Sequence, residues 1–303
     1  MGLKMPTAYS KRLGRDITIE EATKNKIKNE LYCSNKNCRI PLTFVDTFKR
    51  KNSLVSAYFR RQGKVEHFEE CDFNTLGQVD IAARNSDGAL ASINDKKYNL
   101  RLNLISNAIK GSDSSKKKES TVTDVENEKQ PNKNFISSGK ISAYLSTMKK
   151  IMQIKSKIED ESELKNLIEI QFNGENIRWS DFYFEFNDYE KCFSKLMKNK
   201  INYPLCIEGE IKNFEKANEN FSYHSIKLKF KFLGENEDGK NKYASVSILL
   251  SDENIYENLK KEFESGKKHV AFCSNMRAKR VITSSEFLNI TGVVYNTKQI
   301  YMY

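Results

Sequence analysis

The chain has 303 residues, a formal net charge of +11 and a mean hydropathy of -0.67. Its length suits two or three domains that each bury a core. No run approaches the roughly 18 to 20 apolar residues of a membrane helix, and no apolar run follows the first lysine as in a signal peptide. We therefore expect a cytoplasmic protein with no membrane partner. The excess of Lys and Arg favours a polyanionic partner, although a merely solvated basic surface has the same composition.

The first segment, residues 1–110, contains a spaced set of cysteines and histidine. The spacing is Cys33-x4-Cys38, then 28 residues, then His67-x3-Cys71. Two such pairs can supply the four tetrahedral ligands of a closed structural Zn²⁺ site. The alternative is free thiols beside an unrelated histidine, because the first pair is wider than the common Cys-x2-Cys spacing. We predict a small β-rich zinc-binding module.

Six cysteines in 303 residues are too few for a disulfide scaffold and suit a reducing compartment. The three outside this segment, Cys192, Cys206 and Cys273, are expected to be core thiols.

The run from Ala8 to Asp72 resembles the N-terminal region of the competence protein CoiA and of phage, plasmid and defence-island proteins. The matching positions are Gly14, Cys33, Cys38, Phe59, His67 and Cys71. The resemblance covers about 65 of the 303 residues. It implies a role in DNA processing, in a phage, mobile-element or anti-phage context. The restriction-like nuclease domain that follows this region in CoiA is not found intact here.

Residues 111–134 contain almost no large apolar side chain and predict a disordered linker. In residues 135–200, apolar residues spaced by three, four and seven predict an amphipathic helix between Ile141 and Ile158. A short strand, Ile168–Phe172, and a strand-like aromatic run from Trp179 to Phe186 follow. We expect residues 135–200 to form an α+β connecting domain.

Residues 201–303 change to a strand pattern. Three alternating runs begin near Leu205, Ile226 and Val246, and a helix follows that ends at Gly266. Two further strands are expected over residues 269–278 and 287–301. Three strands, a helix and two strands is the order of the OB-fold, a five-stranded barrel. The fold class predicted for the whole chain is therefore α+β.

OB-folds bind single strands between two loops and on the face of strands two and three. The corresponding loops would be residues 213–225 and 275–287, with a lysine row on the second strand. Rings can stack on bases there and cations can contact phosphates. The candidate nucleic-acid-binding residues are Phe214, Lys216, Phe221, Tyr223, Lys227, Lys229, Lys231, Arg277, Lys279 and Arg280.

Three functions stay open. The favoured one is a non-catalytic protein that binds single-stranded DNA or RNA and holds a structural zinc. The second is a protein-binding scaffold, or a phage-encoded inhibitor, in a defence complex. The third is a metal-dependent nuclease, since Glu210 and Lys212 match a Glu-x-Lys pair and Asp181 or Asp188 could share a magnesium ion. His224 and His269 have no recognisable nucleophile partner, and we expect structural roles for both.

Overall fold

A computed structural model describes residues 4–50, 53–63, 65–94, 96–117, 138–158, 162–198, 201–219 and 221–303. The described chain forms two compact units that are discontinuous in sequence. The first comprises residues 4–84, 92–98 and 153–168, and the second comprises residues 85–91, 99–152 and 169–303. In these described ranges, no helix is both long and apolar enough to cross a membrane.

The first unit is built on a five-stranded sheet. Its N-terminal elements are β1 (Thr7–Ser10), β2 (Arg15–Thr18), α1 (Ile19–Lys24), β3 (Leu31–Cys33), β4 (Pro41–Val45), β5 (Phe48–Arg50), β6 (Ser53–Val55), β7 (Tyr58–Arg61) and α2 (Thr75–Arg84). The sheet order is β2-β1-β3-β4-β7, and β5 and β6 form a separate hairpin. Thr18 begins α1 with a reciprocal capping box to Glu21, which satisfies two free backbone N–H groups. The β-rich character expected of this region is confirmed.

The middle of the chain is more helical than its composition indicates. It contains β8 (Leu90–Asn94), β9 (Lys97–Arg101), α3 (Leu102–Lys117), α4 (Ser138–Lys157) and α5 (Ser162–Leu167). Helix α4 confirms the amphipathic pattern, since Leu145, Met148 and Ile151 are fully buried. The expected disordered linker, 111–134, is wrong over residues 111–117, which continue α3; residues 118–134 lie outside the described ranges.

The expected connecting domain is divided between the two units. Its C-terminal part contains β10 (Ile168–Phe172), β11 (Glu175–Ile177), β12 (Tyr183–Phe184) and α6 (Tyr189–Lys198), with short 3₁₀ turns at Trp179–Asp181 and Phe186–Asp188. The aromatic run is therefore mostly turn rather than strand. Phe184, Tyr189 and Cys192 are fully buried in the core of the following sheet. A boundary at residue 200 would separate these side chains from the strands that they pack against.

The C-terminal strands form most of a nine-stranded sheet. The elements are β13 (Leu205–Glu215), β14 (His224–Leu228), β15 (Lys231–Glu235), β16 (Asn241–Leu250), α7 (Glu253–Glu264), β17 (His269–Ser274), β18 (Met276–Ile282), β19 (Glu286–Val294) and β20 (Ile300–Met302). The main pairing order is β18-β19-β16-β14-β13-β17-β20, with β12 beside β13 and β15 beside β16. All pairs are antiparallel except β16 with β19 and β12 with β13.

The expected five-stranded barrel is only partly present. The fold is mixed helix and sheet, and the pairing of the described strands does not close into a barrel. Three breaks and the addition of β12 explain the larger number of strands, and the expected fifth strand is one of those divided, into β19 and β20. The expected second strand breaks at Lys229 and Phe230 into β14 and β15, and the expected fourth strand breaks at Asn275 into β17 and β18. β17 and β18 are far apart in the pairing order of the sheet, but a single residue, Asn275, connects them along the chain.

Candidate functional site

Four side chains of the first unit converge as the sequence predicts. Cys33, Cys38, His67 and Cys71 are all buried, and their potential ligand atoms lie within 4.8 Å of one another. The Cys33 and Cys71 Sγ atoms are 3.8 Å apart, and His67 Nδ1 lies 3.3 Å from Cys38 Sγ and 3.5 Å from Cys71 Sγ. Because Zn–S is about 2.3 Å and Zn–N about 2.0–2.1 Å, a tetrahedral site needs S···S edges of about 3.8 Å and S···N edges of about 3.6 Å. The cluster has the size of a zinc site.

Local backbone structure fixes each ligand. Cys33 ends β3, whose pairing with β1 places it opposite Ala8, and Cys38 lies in a turn in which its N–H donates to Asn35 O. Asn74 orders the backbone around the other two ligands, His67 and Cys71. Its side-chain amide donates to the His67 carbonyl, and its Oδ1 accepts from Gly77 N at the start of α2. The sheet and the start of α2 therefore hold the backbone of the four potential ligands close together.

The electrostatics of the cluster suit a divalent cation. Burial raises the pKa of the Cys33 and Cys71 thiols and lowers the pKa of His67 to about 4, so the imidazole is neutral at pH 7. A metal must therefore displace thiol protons to bind. Three thiolates and a neutral imidazole would leave a net charge of -1 with Zn²⁺. Arg39, which donates to the Cys33 carbonyl and lies 3.7 Å over the Tyr9 ring, brings a positive charge nearby.

A second candidate site lies on the outer face of the nine-stranded sheet. Alternate residues of β16 and β19 point away from the core, and the register places Tyr243, Ser245 and Ser247 beside Phe287, Asn289 and Thr291 respectively. The facing residues of β14 and β18 extend these rows, since Lys227 pairs with Ser247 and Arg277 pairs with Thr291. This face encloses a groove of about 400 Å³ between β13 and β19. We call it the sheet-face groove.

One end of the sheet-face groove carries a cluster of four rings: Phe230, Phe232, Tyr243 and Phe287. Tyr243 and Phe287 stack at 5.5 Å, Phe232 lies 5.5 Å from Tyr243, and Phe230 lies 6.0 Å from Phe287. Phe232 is 57% exposed and Phe230 is 39% exposed. The Lys212 ammonium lies 3.9 Å from the Phe230 ring centroid. Exposed rings grouped in this way, beside a cation, are typical of a binding surface.

The structure places five of the predicted contact residues on this face. Phe221 and Tyr223 form a ring pair at the other end of the groove, 6.3 Å apart. Lys227 lies between the ends, where its ammonium donates to Ser247 and pairs with Glu215 at 3.5 Å. Arg277 extends the row of Thr291, and Lys279 extends the row of Asn289. In the described ranges, neither Arg277 nor Lys279 forms an ion pair.

The other predicted contact residues lie elsewhere or are engaged. A bulge between Ile211 and Asn213 turns Phe214 inward, where it packs on Phe263 at 5.3 Å. The remaining four are all cations with partners inside the protein. They are Lys216 with Glu257, Lys229 with Glu210, Lys231 with the Asn187 carbonyl, and Arg280 with Glu286.

Two features of the expected binding surface change accordingly. The lysine row is wrong, since β14 ends at Leu228 and Lys229 and Lys231 no longer share its face. The expected loop 275–287 is instead mostly the hairpin of β18 and β19. The same strand break explains why Phe230 and Phe232 are exposed. Alternation from Ile226 and Leu228 places them in the core, and no sequence signal marks the bend.

Two carboxylates of the nuclease hypothesis, Glu210 and Asp181, are engaged in ion pairs. Glu210 pairs with Lys229, and Asp181 pairs with Lys195 at 3.3 Å. In the described part of the chain, neither carboxylate belongs to a group of three or more potential metal ligands. His224 Nδ1 accepts from Ala217 N, and His269 stacks on Tyr303. These histidines have the structural partners that the sequence led us to expect.

Most of the net positive charge lies in the N-terminal region rather than in the nine-stranded sheet. Residues 1–71, which include all four potential metal ligands, contain 15 Lys and Arg against 8 Asp and Glu, a formal charge of +7 out of the +11 of the whole chain. Several are exposed, including Lys11 and Arg12 in the turn between β1 and β2, and Lys36 between Cys33 and Cys38. In the described ranges these three form no ion pair. The region that holds the metal cluster is therefore also the basic one.

No family model and no curated protein matches this sequence. Among solved structures, the chain is similar to the Plasmodium falciparum SSB in complex with ssDNA (16% identity, 35% of this chain, 96% of that chain, TM-score 0.21). It is also similar to the mitochondrial single-stranded DNA binding protein Rim1 from S. cerevisiae (14%, 33%, 92%, 0.19). A third match is OBody AM3L09 bound to hen egg-white lysozyme (12%, 36%, 90%, 0.20). Likenesses with TM-scores this low support no conclusion about the fold or function of this chain.

Proposed function

We propose that the protein binds single-stranded DNA or RNA along the sheet-face groove and holds a structural Zn²⁺ in its N-terminal module. The observation that carries this proposal is the exposed ring cluster of Phe230, Phe232, Tyr243 and Phe287. Each ring can stack on a base whatever the sequence, which contributes about 1 to 3 kcal/mol per base. Phe230 and Phe232 of this cluster are exposed to water, and a protein without a partner at this face would gain nothing from that exposure.

The strand topology supports the same proposal. We propose that β13, β14, β16, β17–β18 and β19 are the five strands of an OB-type fold. Strand one pairs with strands two and four, strand two with three, and three runs parallel to five. This is the partly open Greek-key order in which strands two and three present the oligonucleotide-binding face. The ring cluster and the groove lie on that face.

The basic N-terminal module contributes a second element. Its unpaired cations can neutralise phosphates without reading the bases, and the zinc cluster fixes the backbone that presents Lys36. The donor set of three thiols and one imidazole is one that structural zinc sites use. The resemblance of this module to the CoiA region, and the phage or defence context that it implies, stay predictions.

The test is a fluorescence-anisotropy titration of the full chain with labelled 15-nucleotide oligothymidylate and oligouridylate, at two salt concentrations. We compare the wild type with Phe232→Ala and with an Arg277/Lys279→Ala double variant. Removing one stacked ring should weaken binding about 5- to 150-fold, which corresponds to about 1 to 3 kcal/mol. Phe48→Ala is the matched control, since Phe48 is an exposed phenylalanine on the β5–β6 hairpin, and it should bind as the wild type does.

The outcome decides between two classes of partner. Salt-sensitive binding that falls in Phe232→Ala and not in Phe48→Ala supports the proposal. If no oligonucleotide binds, the proposal is wrong, and the ring cluster is then better explained as a contact surface for a protein. Cleavage of the probe would revive the nuclease hypothesis, and Glu210→Ala would test it.

A further inference from the structure

A second cavity, of about 310 Å³, adjoins the sheet-face groove. Leu249 and Thr291 line both spaces, so a nucleic-acid strand bound in the groove would pass beside the cavity. Helix α3 forms one wall with Ile109, Lys110 and Asp113, and Asn275, Met276 and Arg277 form another. A cavity of this size is near the lower limit of small-molecule sites, roughly 300 to 1,000 Å³, and suits a single nucleoside. We call it the α3 cavity.

The walls of the α3 cavity suit a base more than a phosphate. Tyr223 and Tyr295 offer ring faces, and Ile109, Leu249 and Val293 offer apolar surface. Asp113 places a carboxylate among them. Burial, and this carboxylate, which also accepts a hydrogen bond from the Tyr295 hydroxyl, raise the pKa of Tyr295. A carboxylate repels a phosphate, but it accepts hydrogen bonds from the edge of a base.

The bases differ in what they offer to such a carboxylate. The Asp113 carboxylate has two oxygens that only accept, each with more than one lone pair, so beside its bond from Tyr295 it favours a base edge with two adjacent N–H donors. Guanine presents N1–H and N2–H₂ side by side. Thymine and uracil present one N–H between two carbonyl oxygens, which the carboxylate repels. Arg277 lies in the same walls and can balance the phosphate beside the inserted nucleotide.

We propose that the α3 cavity takes one guanine base of the bound strand, with N1–H and N2–H₂ donating to the Asp113 carboxylate. This inference rests on the proposed binding of single strands in the sheet-face groove. The protein would then recognise the base at one position of the bound strand and tolerate any base at the others. Helix α3, which lies outside the OB-type strands, supplies the reading residue.

The test uses the full chain and 15-nucleotide oligothymidylates, unmodified or with one guanine at the 5′ end, the middle or the 3′ end. Hypoxanthine replaces guanine in a second series, because it keeps N1–H and lacks the N2 amino group. The wild type should bind at least one guanine oligonucleotide about 5- to 100-fold more tightly than oligothymidylate, the range of a bidentate base contact. The hypoxanthine series should lie between them.

Asp113→Asn keeps the shape of the side chain but replaces one acceptor by a donor, so it should abolish the guanine preference and keep the affinity for oligothymidylate. Asp238→Asn is the matched control, since Asp238 is exposed in the turn between β15 and β16. The preference should survive in this variant. Because the hypoxanthine series needs only the wild type, the contact can be tested even if Asp113→Asn fails to fold.

Each contrary result points to a different error. Equal affinities of the wild type for all oligonucleotides, with salt-sensitive binding to each, would overturn the guanine site and leave the proposed function standing. A guanine preference that persists in Asp113→Asn would overturn the role assigned to Asp113. No binding to any oligonucleotide would overturn both proposals together.

Discussion

Replacing Cys71 by Ser removes one of the four atoms that could bind a metal ion in the Cys33–Cys38–His67–Cys71 cluster. Zinc binding to such sites releases roughly 10 to 16 kcal/mol of apparent free energy at pH 7. If four ligands share that energy equally, one ligand accounts for about 2.5 to 4 kcal/mol, or two to three orders of magnitude in affinity. The ligand-to-ligand distances of 3.3 to 3.8 Å are close to those of a tetrahedral site. Among the described residues no other cysteine belongs to this group, so none can replace the lost sulfur.

The assay has two readouts. Metal content is measured by mass spectrometry after gel filtration, and zinc affinity by competition with a chromophoric chelator. We expect about one zinc per wild-type chain, and a loss of zinc from Cys71→Ser to a chelator concentration that leaves the wild type loaded. Thermal unfolding of the first unit should also occur at lower temperature, because metal binding is linked to folding.

Cys192→Ser is the matched control, because Cys192 is an equally buried thiol in the core of the other unit. Its replacement should lower stability through the cost of a buried hydroxyl and leave the zinc content unchanged. A Cys71→Ser protein that keeps a full zinc equivalent and the wild-type affinity would refute the ligand assignment. Zinc loss from both variants alike would show that the readout reports unfolding rather than coordination.

Three further predictions concern charge, packing and pH. Lys11/Arg12→Ala should reduce the slope of log Kd against log salt by about 1.4, since each phosphate contact to a single strand contributes about 0.7; an unchanged slope would place the phosphate contacts elsewhere. Gly209→Ala should destabilise the protein by about 1 to 3 kcal/mol in urea unfolding, because its Cβ would lie 2.0 Å from the Tyr189 hydroxyl. Combining it with Tyr189→Phe should recover part of that loss, and strictly additive effects would contradict this packing. The Arg280 guanidinium donates a hydrogen bond to Glu286 and lowers the pKa of that carboxyl group. The stability that this ion pair contributes is therefore present above the ordinary pKa of 4.5 and is lost as the pH falls below it. Glu286→Gln should therefore show a shallower loss of stability in acid than the wild type, as followed by urea unfolding from pH 6 to pH 3.

The metal cluster was predictable from the sequence because its ligand types are chemically distinctive. Cys33, Cys38, His67 and Cys71 are among few residues in that region able to bind a soft cation, and their pairing in short loops restricts the geometry. The helix α4 and the strand-rich C-terminal region were predictable for a related reason. Apolar side chains must repeat at the period of the element that buries them.

The sheet-face groove was harder to predict from the sequence, because the residues that line it depend on where the strands bend. Period-two alternation holds only within an unbroken strand, so the bend at Lys229 and Phe230 reverses the expectation for Phe230 and Phe232. The bulge beside Ile211 turns Phe214 inward, whereas the sequence interpretation places it on the binding surface. Bulges shift every later side chain to the opposite face. The polar composition of residues 111–117 also gave no sign that α3 continues through them.

The discontinuity of the two units bears on how the protein can be divided. The chain contributes residues 85–91 and 99–152 to the second unit before it returns to the first at residue 153. A fragment cut at residue 201 would retain the strands of the groove but lose Phe184, Tyr189 and Cys192 from their core. Such a fragment would expose apolar surface, so weak binding by it would not count against the proposed function. Neither unit can be excised by a single cut, so binding and metal content are properties to be measured on the intact polypeptide.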